Sequence, residues 1–174
     1  MKRYLPTIAV VIVLIGVLLY TRFFEPEKKL YPEIPLYQVA EQDVSEVEIS
    51  SAGKKIRLTK GTDWQITEPE SLPADPGKIA SLLKTFSSFK AEARLADQVD
   101  ALEPYGLDSP SLAVTVRTAG ETHTLKFGKR TPVGGNLYLM EEGKPPLYTA
   151  PAFLAEQNRP DLEVFRKKIA ESQP

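Results

Sequence analysis

The sequence predicts an α+β protein, with an N-terminal transmembrane helix followed by an antiparallel β-meander, an amphipathic helix and a second antiparallel β-rich part. Three observations carry that expectation. Leu5 to Tyr20 holds no charge, with Lys2 and Arg3 before it and Arg22 after it. Between Val47 and Thr67 apolar side chains alternate with polar ones, which is the period of a half-buried strand. Ile79, Leu82, Leu83 and Phe86 then recur at helical spacing, and alternation returns from Leu112 onward.

A spanning helix takes about 20 mostly apolar residues. Leu5–Tyr20 is slightly shorter, and Tyr4, Tyr20, Phe23 and Phe24 suit the headgroup level where aromatic rings collect. A cleaved signal peptide needs small residues just after its apolar run. Here the run ends Leu18-Leu19-Tyr20-Thr21-Arg22-Phe23-Phe24, so residues 1–21 read as an uncleaved signal anchor. The short N-terminal tail sets the expected orientation: inner (cytoplasmic) membrane, single pass, N-terminus cytoplasmic and C-terminal domain extracytoplasmic. Pro26, Pro32 and Pro35 mark residues 22–35 as an extended linker. Residues 36–174 are long enough to bury one core and are expected as a single extracytoplasmic domain.

Composition narrows the functions. Lys plus Arg total 22 and Asp plus Glu total 23, a formal net charge of −1, with no basic block of the kind that binds nucleic acid. With no cysteine there are no disulfides, thiolate metal sites or cysteine nucleophiles.

Along the domain, Val47/Ile49, Ile56/Leu58 and Trp64/Ile66 define one apolar face of a three-stranded meander, turned at Ser51-Ala52-Gly53 and Gly61-Thr62-Asp63. Asp75-Pro76 opens a helix, Asp as N-cap and Pro in the first turn, with Ile79, Leu82, Leu83, Phe86 and Phe89 as its stripe. A turn-rich segment, Glu103 to Pro110, leads to strands at Leu112–Val116 and His123–Phe127. Gly128 to Gly135 reads as a loop, followed by strands at Leu137–Met140 and Pro146–Thr149. Ala152–Gln157 reads as helix, and Asp161 caps a last helix with Leu162, Phe165 and Ile169.

The ordered set Trp64-Gln-Ile-Thr-Glu-Pro69, Leu72-Pro-Ala-Asp75, the Ile79/Leu82/Leu83 helix, Tyr105-Gly106-Leu107 with Pro110, Leu125-Lys-Phe-Gly128 and Leu137-Tyr138-Leu139 resembles a bacterial family of unknown function. Its members are envelope proteins with an N-terminal membrane anchor, often associated with gliding-motility-type ABC transporters and their auxiliary subunits. The resemblance spans residues 44 to 168 and implies a location and a transporter partner. It supplies no catalytic residues. Many relatives carry further units, and this chain is expected to carry one.

The candidate chemistry is sparse. His123, the sole histidine, shares a strand face with Leu125 and Phe127. A general base or metal ligand there would need an acidic orienter and a serine, or further ligands, that no local spacing supplies. The plainer reading is structural. Gly128-Lys129-Arg130-Thr131-Pro132-Val133-Gly134-Gly135 could cradle an anion, but no helix-opening Gly-Lys-Ser/Thr follows, and a strand connection is the simpler reading. Tyr105 is either a recognition tip or a packed turn residue beside Gly106. Asp97, Asp100, Glu103 and Asp108 fit no EF-hand spacing, and Trp64 reads as a core anchor. No catalytic, cofactor or metal residues are assigned, and Lys129, Arg130 and Tyr105 are the candidate partner or ligand contacts. The expected function is a non-enzymatic, membrane-anchored accessory or scaffold domain binding another envelope component, an ABC transporter subunit foremost. The alternative is an extracytoplasmic binding module for a small molecule, lipid or glycan; a hydrolase using His123 stands third.

Overall fold

The computed structural model describes residues 13–16 and 33–167. The chain falls into two units, Met1–Pro32 and Glu33–Pro174. In the first, residues 13–16 are helical and the side chains of Val13, Leu14 and Ile15 are exposed. The remainder of the expected span Leu5–Tyr20, and residues 22–32 of the linker, lie outside the described residues.

The second unit is built on antiparallel pairing. Strands β2 (Glu46–Ser51), β3 (Lys54–Lys60) and β4 (Trp64–Glu68) form the meander, extended by the two-residue β5 (Leu72–Pro73). A second run, β8 (Leu112–Arg117), β9 (Thr122–Arg130), β10 (Asn136–Glu141) and β11 (Leu147–Pro151), zigzags beside it. Strand β2 pairs with β8, so both runs merge into one nine-stranded sheet in the order β5-β4-β3-β2-β8-β9-β10-β11-β7. Here β7 (Ala93–Ala96) closes the far edge.

Helix α1 (Pro76–Phe86) starts where Asp75 accepts a hydrogen bond from the Lys78 backbone N–H at 3.0 Å, filling one of the unpaired donors of the first turn. Ile79, Leu82, Leu83 and Phe86 are buried on it. They join one core with Val47, Ile49, Ile56, Leu58 and Ile66 of the meander and Val114, Leu125, Phe127 and Leu139 of the second run. A smaller cluster of Leu107, Met140 and Leu147 lies apart from it, covered by Val99, Leu102, Tyr105 and Tyr138. Two short helices, α2 (Ala152–Gln157) and α3 (Leu162–Phe165), complete the unit, and Phe165 reaches the main core. Ile169, expected on the last helix, lies outside the described residues.

The expected fold class needs correction. The body is dominated by strand rather than divided between helix and sheet layers, and among the described residues no helix is long and apolar enough to cross a membrane. The excess of strand has identifiable sources. Helix α1 stops at Phe86, and Ser88–Ala91 is strand β6, paired with β1 (Ile34–Gln38) through Ile34↔Ala91 and Tyr37↔Phe89. Phe89 follows Phe86 by three positions, a spacing that fits a helix, yet Phe89 and Ala91 are both buried as alternate residues of a strand. Strand β1 arises in a stretch whose prolines suggested a tether; Pro35 sits at a register irregularity of this two-stranded sheet, where a missing N–H is tolerated. The loop expected over residues 128–135 is shorter, because β9 continues through Gly128, Lys129 and Arg130.

Phe89 is 2 % exposed in the main core. Phe89→Ala should therefore lower the unfolding free energy by about 3–5 kcal/mol, as for other fully buried aromatic truncations. Urea unfolding followed by the fluorescence of Trp64, the sole tryptophan, reads this directly; a loss near zero would remove Phe89 from the core.

Candidate functional site

Two groups of polar side chains stand out. The first surrounds His123. Its Nδ1 lies 2.8 Å from Glu141 Oε1 and its Nε2 3.1 Å from Glu121 Oε2. Its ring stacks on Tyr37 with centroids 4.2 Å apart and planes 7° from parallel. The Tyr37 hydroxyl donates to the Phe86 carbonyl at 2.6 Å. Glu141 is buried, and Lys144 Nζ lies 2.8 Å from the same Oε1 that meets His123. A buried carboxylate is tolerable only when so partnered.

This arrangement supplies the acidic orienter that a catalytic histidine requires, but places a second carboxylate where the nucleophile would stand. Both ring nitrogens and one ring face are occupied. Among the described residues no group of three or more His, Asp or Glu side chains is placed to hold a metal ion. Asp97, from the acidic segment, is 2.8 Å from Arg94. The roles of Glu141 and Tyr37 escaped sequence reasoning. Leu137, Leu139 and Glu141 alternate, and that pattern does put Glu141 on the core side of β10, had the strand been extended by one residue.

The second group lines a solvent-open cleft of about 850 Å³. Its walls come from the β2–β3 turn (Ser51, Ala52, Lys54), residues 109–111, the end of β9 (Gly128, Lys129, Arg130) and the segment from Ala152 to Asp161. Lys129 and Arg130 thus both line it, while Tyr105 does not. Tyr105 packs edge-on against Tyr138, centroids 5.0 Å apart, in the smaller cluster.

The motifs Tyr105-Gly106-Leu107 and Phe127-Gly128-Lys129 form one lock. Gly106 has φ +67°, a left-handed conformation that costs other residues energy, and a Cβ there would stand 2.6 Å from Lys129 Cγ. A Cβ on Gly128 would lie 2.1 Å from the Tyr105 carbonyl oxygen. Lys129 Nζ donates to the Glu103 carbonyl at 3.1 Å, which ties the lysine to the same turn. Arg130 pairs with Glu156 of α2. Trp64 is half-buried and packs against the main core, as its alternation with Ile66 suggests.

Gly128→Ala should be destabilising by about 1–3 kcal/mol, since its methyl meets backbone rather than a movable side-chain tip. Lys129→Ala should cost under about 1 kcal/mol, the value of an exposed hydrogen bond. Chemical denaturation of both variants separates the lock from a ligand role; equal, negligible losses would dissolve it.

Burial, and next the negative charge of Glu141, hold the Tyr37 phenol above its usual range. A tyrosine ordinarily titrates near about 10, and the folded state resists that ionisation. The unfolded chain loses the proton first, so this contribution is fully present below about pH 10 and is lost as pH rises beyond it. Stability of the wild type minus that of Tyr37→Phe, measured by urea unfolding between neutral and strongly alkaline pH, should shrink above that point. A constant difference would place Tyr37 in contact with water.

No curated protein and no solved structure matches the chain. One protein-family model does, over residues 64–174, from the first residue of β4 onward. Strands β2 and β3 precede the matched region although they share its sheet. The match covers more than half of the sequence, and the chain belongs to the family described as a domain of unknown function, DUF4340.

Proposed function

We propose that this protein is a non-enzymatic accessory domain of the bacterial envelope that docks another envelope protein, an ABC transporter subunit foremost, at the inner membrane. The single observation that carries the docking role is the cleft. It is open, and it is lined by the buried apolar residues Leu137, Ala152 and Ala155 and by the exposed cations Lys54, Arg130 and Arg159. An apolar centre with a polar rim is the general anatomy of a protein-binding patch. Phe153, next to the lining residue Ala152 in sequence, is 52 % exposed. The non-enzymatic part rests on His123, whose nitrogens both face carboxylates. The transporter partner rests on the ordered motifs from Trp64 to Leu139 described above, and the membrane placement on the uncharged residues 5–20, with the body outside.

Affinity purification of the tagged full chain from detergent-solubilised native membranes, followed by mass spectrometry, should recover an envelope protein in stoichiometric amount. Repeated recovery of the chain alone would remove this reading.

A further inference from the structure

The charges of the cleft do not balance. Four cations line it, Lys54, Lys129, Arg130 and Arg159, against two acids, Glu156 and Asp161. Lys129 Nζ donates to the Glu103 carbonyl, which ties it to that turn without cancelling its charge. Asp161 accepts from the Glu163 backbone N–H at 3.0 Å, as cap of α3. Arg130 and Glu156 hold each other. Lys54 and Arg159 remain, both exposed and, among the described residues, both with neither an acidic partner nor a side-chain hydrogen bond. They come from distant elements: Lys54 opens β3, and Arg159 follows α2.

We propose that the cleft takes an extended acidic peptide segment of the partner protein, with carboxylates on Lys54 and Arg159 and apolar side chains against Leu137, Ala152 and Ala155. This deepens the docking role proposed above and rests on it. Two features favour a peptide over a phosphate or lipid headgroup. The volume of about 850 Å³ far exceeds a lone phosphate, and the lining includes the buried apolar side chains of Leu137, Ala152 and Ala155. A guanidinium such as that of Arg159 suits the planar fork of a carboxylate.

The same geometry gives Glu156 a second role. Its carboxylate sits on Arg130 as an internal stand-in for a carboxylate of the peptide. An incoming Asp or Glu side chain has to displace it before Arg130 can contribute. Removing the Glu156 charge therefore frees a third cation for the ligand, and the variant should bind more tightly than the wild type.

The test is fluorescence anisotropy on the full chain in neutral detergent, using a short labelled peptide that alternates Glu and Leu. Its Gln/Leu counterpart, inorganic phosphate and vesicles containing phosphatidylglycerol serve as the other probes. The Glu/Leu peptide should bind, weaken as salt rises, and outbind the Gln/Leu peptide. Lys54→Gln with Arg159→Gln should weaken binding about fivefold to tenfold, while Glu156→Gln should tighten it about twofold to fivefold, the range of solvent-exposed charge pairs. Equal binding of the two peptides overturns the proposal, as does wild-type affinity in the Lys54→Gln/Arg159→Gln variant. Phosphate or vesicle binding without peptide binding also overturns it, in favour of a headgroup site. Should the membrane pull-down recover a partner equally well with the double variant, the accessory role stands and the cleft is not its site.

Discussion

Pairing of β2 with β8 is the constraint on which the rest of the fold depends. It runs in unbroken antiparallel register from Glu46↔Arg117 to Ser50↔Ala113. Ser51 Oγ extends it by donating to the Ser111 carbonyl at 2.6 Å, between residues sixty apart in sequence. Without this seam the meander and the second run would each be a small sheet with one apolar face and nothing to cover it. With it, Val47 and Ile49 lie against Val116 and Val114, and a single core forms under α1. Ordering so long a loop carries an entropic cost that rises slowly with length, and it is recovered only when the whole seam forms. The two strand runs therefore behave as one cooperative structure.

The opposite face of the same strands shows how the seam is specified. Glu46 meets Arg117 across β2–β8, and Glu48 meets Arg57 across β2–β3, with Nη2 2.9 Å from Oε2. Arg57 also lies 3.2 Å from Glu68 of β4, and Thr115 and Thr124 hydroxyls bond at 3.0 Å across β8–β9. Each exposed pair adds little stability. A one-residue slip, however, would both turn the valines outward and break these charge matches, so the ladder selects the register more than it strengthens it.

That division explains what the sequence makes legible. Alternation at Val47/Ile49, Ile56/Leu58 and Leu125/Phe127 marks the buried face because burial follows local periodicity. The Asp75-Pro76 start of α1 is equally local. Strand β1 and strand β6 are not, since Tyr37 and Phe89 belong to a strand pair that exists only once segments far apart meet. The helical spacing from Phe86 to Phe89 is satisfied by two different backbones. The same holds for the candidate site. Lys129 and Arg130 are visible as neighbouring cations, whereas Arg159 and Lys54 reach the cleft through the fold alone. Glu141 is hidden because a buried carboxylate next to a turn looks like any solvated acid until its partners are placed.

The lock between Gly106 and Gly128 connects these levels. It requires two positions without a Cβ, draws the turn before β8 onto the end of β9, and ties Lys129 to the Glu103 carbonyl. By fixing Gly128 it fixes the course of the backbone into Arg130, whose guanidinium then reaches Glu156 on α2. The apparent basic pair of the sequence separates into one structural lysine and one arginine under internal competition. Lys54 and Arg159 line the same cleft, although no linear motif joins them.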